Sequence, residues 1–252
     1  MNITRILAPN PGPFTGAGTN SYVIEADGEA VIVDPGPEID THLDAIRAAV
    51  SDLMVVGVLV THHHLDHSPA ANPLAAEYGV PSYGFGSYGG FQAISAIADG
   101  DGVHVGTEMI AVLHTPGHTP DSLCYAVEDG VFTGDAIKSG TTVVVEDMSD
   151  YMSTLQRLID LAPARIYPGH GDVIDDPQAV LAGYTSHRRA REQQIVNALN
   201  DGPLTTEAVV GIVYPDLDPA LVPLAAQSAD AHLRKLVDDG VAFQTDDGWA
   251  LL

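Results

Sequence analysis

At 252 residues with 45% hydrophobic side chains, the chain has room for one large domain and a smaller one, each with a buried core. Ten basic residues against 34 acidic ones give a formal charge of −24, which argues against tight, nonspecific nucleic-acid binding. A single cysteine excludes an internal disulfide. The start has no signal-peptide pattern and no apolar run is long enough to cross a bilayer, so a cytoplasmic protein without membrane attachment is expected.

In chain order, strands are predicted near 3–8, 20–26 and 29–34, then a helix near 39–50. A strand at 55–60 follows, whose branched run Val55, Val56, Val58 and Val60 suits a buried position. Directly after it comes Thr61-His62-His63-His64-Leu65-Asp66-His67. Imidazoles at 62, 64 and 67 with a carboxylate at 66, in one loop at a strand end, are a metal-site donor set. Residues 66–69 also read as the cap and first turn of a helix from 69 to 78. His63 alternates with two candidate ligands and is expected to point away from them.

A strand near 80–83 leads into Gly84-Phe85-Gly86-Ser87-Tyr88-Gly89. The glycine spacing is that of a dinucleotide fingerprint, but no helix pattern opens at the last glycine, so that reading is set aside. A loop flanking the site is expected instead. Tyr83, Phe85, Tyr88 and Phe91 would either line its wall or pack among themselves.

A strand at 109–115 is stopped by Pro116-Gly117 and presents His118, with His114 expected in support or in the core. Strands at 122–127 and 131–134 follow; the first holds Cys124 as a small core residue and the second ends in Gly134-Asp135. A helix at 150–161 shows Met152, Leu155, Leu158 and Ile159 on one face. The strand at 165–168 ends in Pro168-Gly169-His170-Gly171.

Each of these candidate ligands stands past a strand end, beside glycine or proline that lets the chain turn tightly. Four such ends imply one shared sheet edge where His62, His64, Asp66, His67, His118, Asp135 and His170 converge. Nitrogen and oxygen donors without a thiolate suit two divalent ions, zinc first and manganese or iron as alternatives. Ions about 3.5–4 Å apart can share a water whose pKa falls to roughly 7. No serine-nucleophile motif competes with this reading. Strands in a meander, then alternating with helices, suit a two-sheet sandwich with outer helices.

Beyond His170, Asp175-Asp176-Pro177 starts a helix that runs to Asn200 and is stopped by Asp201-Gly202-Pro203. Two more helices at 204–213 and 219–239 precede a hairpin around Asp247-Gly248. Three helices closed by a β-ribbon make a winged helix. The expected division is a catalytic domain at 1–180 and a winged-helix domain at 181–252. His187, Arg188 and Arg191 share a helix face, either as a phosphate clamp or as a solvated face paired with Glu192.

The order H-x-H-x-D-H, then His118, Asp135 and His170, resembles the metallo-β-lactamase superfamily. The resemblance implies a four-layer αβ/βα sandwich, with His62, His64 and His118 on one metal, Asp66, His67 and His170 on the other, and Asp135 bridging. It also implies a bridging hydroxide oriented by Asp66 as a catalytic group. Antibiotic-destroying members usually carry cysteine where Asp135 stands, so β-lactam hydrolysis is the less favoured activity. Asp135 is similar to the glyoxalase II and nuclease branches.

Further segments are similar to the lactamase-beta-like endoribonuclease branch, whose members carry a C-terminal winged helix and include an enzyme that cuts single-stranded RNA. These are Asn10-Pro11-Gly12-Pro13-Phe14-Thr15, Gly18-Thr19-Asn20-Ser21-Tyr22, Gly140-Thr141-Thr142, the stretches 146–152 and 186–194, and Tyr167-Pro168-Gly169-His170-Gly171. The likeness implies single-stranded RNA as substrate, with Asn20, Thr141, Thr142, Arg188 and Arg191 near it. His63 and Leu65 stand where many relatives have a basic or aromatic pair, which bears on that substrate. A small ester or thioester, as in the glyoxalase II branch, is the alternative. A non-catalytic metal-binding interaction protein is the third reading, and no oligomeric state is implied.

Overall fold

The computed structural model describes all residues, 1–252. The chain divides into two compact units. Met1–Pro116, Asp121–Val143 and Pro163–Pro177 form the first; Gly117–Pro120, Val144–Ala162 and Gln178–Leu252 form the second.

In the first unit, β1 (Asn2–Leu7), β2 (Asn20–Ala26) and β3 (Glu29–Val33) form an antiparallel meander. Asp27 and Gly28, at φ +53° and +81°, make the two-residue turn between β2 and β3, the backbone geometry that matches strand twist. α1 (Asp40–Ala49) then crosses over to β4 (Met54–Leu59), and α2 (Ala71–Tyr78) to β5 (Ser82–Gly84). Helical crossovers make β3, β4 and β5 parallel neighbours. Short pieces follow: β6 (Ser87–Tyr88) pairs with β7 (Phe91–Gln92), and β8 (Ser95–Ala96) joins the sheet beside β5. The resulting order is β1-β2-β3-β4-β5-β8.

The second sheet takes β9 (Gly102–Val105), β10 (Glu108–His114), β11 (Leu123–Val127), β12 (Gly130–Gly134) and β13 (Ile166–Pro168) in the order β13-β12-β11-β10-β9. All its pairs are antiparallel except β12 with β13. Side-chain alternation builds two cores from one set of strands. Tyr22, Ile24, Val31, Val33 and Leu59 cluster with Ile110, Val112, Leu123, Tyr125 and Phe132 from the other sheet. Their neighbours Val23, Ile32, Val58 and Val60 face the opposite way and pack on Ile46 of α1 and Leu74 of α2. Each such aliphatic side chain, fully buried, contributes about 1.5–3 kcal/mol.

Two expectations need correction. α2 begins at Ala71, after Ala70 in a helical conformation with no side-chain cap, so residues 66–69 are not its cap and first turn. Ser68 instead donates to the His63 carbonyl at 2.8 Å. β9 was not expected, although Val103 and Val105 are buried between exposed neighbours. As expected, no helix opens at Gly89; residues 84–89 run from β5 into the small β6–β7 ribbon.

The second unit contains α3 (Met148–Leu161), α4 (Pro177–Leu199), α5 (Thr206–Val213), a 3-10 turn at Pro219–Leu221, α6 (Val222–Asp238), β14 (Ala242–Thr245) and β15 (Gly248–Leu251). Asp147 caps α3 by accepting from Asp150 N at 2.9 Å. The buried face of α3 is Met148, Tyr151, Leu155 and Leu158, rotated from the face expected around Met152 and Ile159. Ile195, Leu199, Val209, Val210, Ala229, Leu233, Leu236 and Trp249 form a separate core. Trp249 Nε1 donates to Thr206 Oγ1 at 3.1 Å, tying the hairpin to α5 in a winged-helix arrangement.

Candidate metal centre

Four strand ends carry the candidate ligands. The loop with His62, His64, Asp66 and His67 follows β4, His118 stands in the turn between β10 and β11, Asp135 follows β12, and His170 follows β13. Two groups result, each with its ligand atoms within 4.8 Å of one another: His62, His64, His118 and Asp135 in one, Asp66, His67 and His170 in the other. Asp135 faces the second group too, since its Oδ1 lies 3.4 Å from His67 Nε2 and 3.2 Å from His170 Nε2. All seven residues singled out in the sequence therefore fall within these two groups.

Two glycines make this approach possible. Gly134 turns at φ +49°, and a Cβ there would meet Thr61 Oγ1 at 2.4 Å. At Gly169 a Cβ would lie 2.7 Å from His67 Cε1 and 2.8 Å from Asp135 Oδ1. Any side chain at 169 would push apart two residues of the cluster.

In four of the five histidines the ring nitrogen that does not face the cluster is held by a fixed partner. His67 Nδ1 donates to Asp34 Oδ2 at 2.8 Å, His170 Nδ1 to the Gly18 carbonyl at 3.1 Å, and His118 Nδ1 to the Val144 carbonyl at 2.7 Å. His62 Nδ1 meets Thr61 Oγ1 at 3.0 Å, whose own hydroxyl donates to Asp34 Oδ2 at 2.7 Å. With Nδ1 held in each of these rings, the Nε2 sides of His62, His67, His118 and His170 turn toward the cluster, where His62 Nε2 also lies 3.0 Å from His64 Nδ1.

The buried Nε2 atoms of His67 and His170 make no hydrogen bond and are turned to carboxylate oxygens, Asp66 Oδ2 lying 3.4 and 3.1 Å away. Burial works to raise the Asp66 and Asp135 pKa values, but the charge of His67 and the close approach of His170 outweigh it and hold both carboxyls well below the usual range. Burial likewise works to lower His67 and His170, and the same carboxylates outweigh it and raise them. Buried imidazole nitrogens and carboxylate oxygens that face one another at 3.1–3.4 Å without hydrogen bonding are an arrangement that a cation between them would fit. The donor set, five imidazoles and two carboxylates with no thiolate, suits two borderline divalent ions.

Sequence reasoning missed Asp34. It follows β3 in Asp34-Pro35-Gly36, the same strand-end signature as the ligands. It also missed Thr19, whose hydroxyl lies 3.3 Å from Asp66 Oδ2, and Lys138, whose ammonium lies 2.7 Å from Asp135 Oδ2. Asp121 accepts from His63 N at 2.9 Å and pairs with His63 Nδ1 at 2.8 Å, so His63 belongs to neither ligand group.

Asn20, expected near a substrate, is 1% exposed, and its amide donates to the Pro168 and Gly171 carbonyls on either side of His170. Thr141 and Thr142 are exposed. Arg188 is 2% exposed with its guanidinium 5.2 Å from the Tyr151 ring centroid. Arg191 lies 3.9 Å from that of Tyr214 and donates to the Val213 carbonyl at 3.0 Å. Among the aromatic wall candidates, Phe85 stacks on His114 at 4.2 Å, Tyr88 stacks with His63 at 6.1 Å, and Phe91 is buried.

Comparison with known proteins agrees with this architecture. The metallo-beta-lactamase superfamily model matches residues 14–92 and 92–170, and the model of the beta-lactamase associated winged helix domain matches 205–249. A beta-lactamase-like protein 2 homolog from Caenorhabditis elegans is 35% identical over 251 residues, 95% of this chain and 85% of that protein. An atrochrysone carboxyl ACP thioesterase from Aspergillus chevalieri is 31% identical over 260 residues, 98% of this chain and 84% of that one. The crystal structure of a beta-lactamase domain protein from Burkholderia ambifaria shares the fold with a TM-score of 0.85 at 23% identity, covering 99% of this chain and 91% of that one. This chain belongs to the metallo-beta-lactamase superfamily, as a metal-dependent hydrolase with the winged-helix domain associated with that family.

Proposed function

We propose that the protein hydrolyses an acyl thioester or ester at a centre of two divalent ions, with zinc as the first choice. His62, His64 and His118 hold one ion, Asp66, His67 and His170 the other, and Asp135 faces both. When bound, the two ions supply an ionised water and stabilise negative charge that develops on the carbonyl oxygen. Asp66 would help to orient that water as well as ligate, and Thr19 fixes Asp66 in turn through the 3.3 Å contact. The observation that carries the reading is the set of Nδ1 hydrogen bonds that turns the Nε2 sides of four imidazoles toward the cluster. Residues 1–180 carry the catalysis, 181–252 form the winged-helix part, and a cytoplasmic site of action belongs to the same reading.

Three things favour the thioester over RNA. The Aspergillus relative is named a thioesterase, the net charge is −24, and Arg188 and Arg191 are engaged with Tyr151, Tyr214 and Val213. The likeness of 10–15, 18–22, 140–142, 146–152, 167–171 and 186–194 to the endoribonuclease branch supports single-stranded RNA as a second reading, with Asn20, Thr141, Thr142, Arg188 and Arg191 as its contacts. A cephalosporin is less favoured, because aspartate rather than cysteine stands at 135.

Metal analysis of the purified protein, followed by assays on an acyl thioester, a labelled single-stranded RNA and a chromogenic cephalosporin, tests these readings together. Thioester turnover abolished by a chelator and restored by zinc or manganese is the expected result. Chelator-sensitive RNA cleavage without thioester turnover would replace it with the second reading.

A further inference from the structure

Lys138 is one of two lysines in the chain and is 7% exposed, an unusual place for an ammonium unless it is paired. Its Nζ lies 2.7 Å from Asp135 Oδ2 and donates to the Phe14 carbonyl at 3.1 Å. The two oxygens of Asp135 are thereby divided. Oδ1 faces His67 and His170, and Oδ2 faces Lys138.

The loop at 10–19 reaches the same centre from three directions: Phe14 takes Lys138, the Gly18 carbonyl takes His170, and Thr19 takes Asp66. Asn10 braces this loop, donating to Thr19 Oγ1 and accepting from Thr19 N at 2.9 Å each.

We propose that Lys138 is a positioning residue that engages Asp135 Oδ2, leaves Oδ1 turned to the histidines, and holds the centre's affinity for cations below what its ligands alone would give. The inference rests on the ligand assignment proposed above. Two effects of an ammonium beside a ligand carboxylate oppose each other. It orients the carboxylate, which favours metal binding, and it repels a dication placed on the far side of the same group.

Here orientation has other sources. Asp135 is 5% exposed, follows the left-handed Gly134, and has its Oδ1 against Gly169. Repulsion in a buried site is therefore the larger effect, and removing the charge tightens the hold on cations. With its charge partly neutralised, the carboxylate passes less electron density to a bound ion, which suits an electrophilic role.

The test is zinc affinity, measured by competition with a chromogenic chelator, for the wild type and for Lys138→Met, Lys138→Gln and Lys138→Arg. Lys138→Met and Lys138→Gln are expected to bind zinc about tenfold more tightly or better, and Lys138→Arg to match the wild type. Lys138→Gln retains a polar group should Lys138→Met fail to fold. In an Asp135→Asn background the Lys138→Gln effect is expected to vanish. Unchanged or weaker zinc binding by the neutral variants overturns the proposal, weaker binding being what a purely orienting ion pair would produce. A wild-type protein that binds no zinc overturns the ligand assignment instead.

Discussion

Asp34 accepts from Thr61 N and Thr61 Oγ1 at 2.7 Å each and from His67 Nδ1 at 2.8 Å, with its backbone at φ +46°. Few residues other than glycine, asparagine and aspartate adopt that conformation without strain, and only a carboxylate offers acceptors enough for three donors. Asp34→Asn keeps the backbone but replaces one acceptor oxygen by an NH2 group facing donors. The expected result is zinc affinity lower by about 10–100-fold and stability lower by about 1–3 kcal/mol. Chelator competition and urea unfolding measure the two; unchanged values for both would show that Asp34 does not orient His67. The seven candidate ligands were legible because each adds a metal-binding side chain to a strand-end turn. Asp34 was not, since a lone aspartate before Pro-Gly reads as a turn residue. Its place beside Thr61 follows from Val33 pairing with Leu59, a parallel register that no local pattern encodes.

At the scale of elements, α4 and α6 bury a histidine that carries a pH dependence. His232 is 1% exposed, neither ring nitrogen makes a hydrogen bond, and Glu192 Oε2 lies 3.7 Å from its Nδ1. Burial first, then the charges of Arg188 and Lys235, pushes its pKa below the ordinary value of 6.5; Glu192 pulls the other way and does not prevail. A histidine that titrates lower when folded takes its proton more readily in the unfolded chain, so its contribution to stability is lost as pH falls below about 6.5. His232→Gln should flatten the fall in unfolding free energy between pH 7 and pH 5, by a slope of at most about 1.4 kcal/mol per pH unit. Urea unfolding of both proteins at pH 7, 6 and 5 checks this, and parallel curves would exclude it. The helices and hairpin after His170 were legible because proline, glycine and acidic caps punctuate them and nothing competes for those residues. The start of α2 was misread for the converse reason: Asp66 lies beside His67 and His170 and Ser68 is bonded to His63, so neither caps the helix. The alternation in β9 was present in the sequence but spans only four residues.

For the whole molecule, charge separates the two substrate readings. The first unit contains four lysine and arginine side chains, and each is committed to an acid: Arg5 to Asp172, Arg47 to Asp44 and Glu77, Lys138 to Asp135, and Arg165 to Asp175. A single-stranded RNA laid over such a surface would neutralise few phosphates and release few counterions, and the remaining field of the −24 chain would oppose its approach. Single strands lose affinity with salt at a slope of about −0.7 per phosphate contact, so a protein with fewer than two or three contacts has both weak binding and a nearly flat salt dependence. Chelator-treated protein, which cannot cut, should bind a fluorescent 20-mer RNA with Kd weaker than roughly 10⁻⁴ M at 0.15 M salt, the weak end of nonspecific binding. Thioester turnover, which needs no phosphate grip, should vary little from 0.05 to 0.3 M salt. Fluorescence anisotropy across that salt range measures the first quantity. Tight binding with a log–log slope steeper than about −2 would require a phosphate-binding surface assembled despite the net charge, and RNA would then displace the thioester as the substrate.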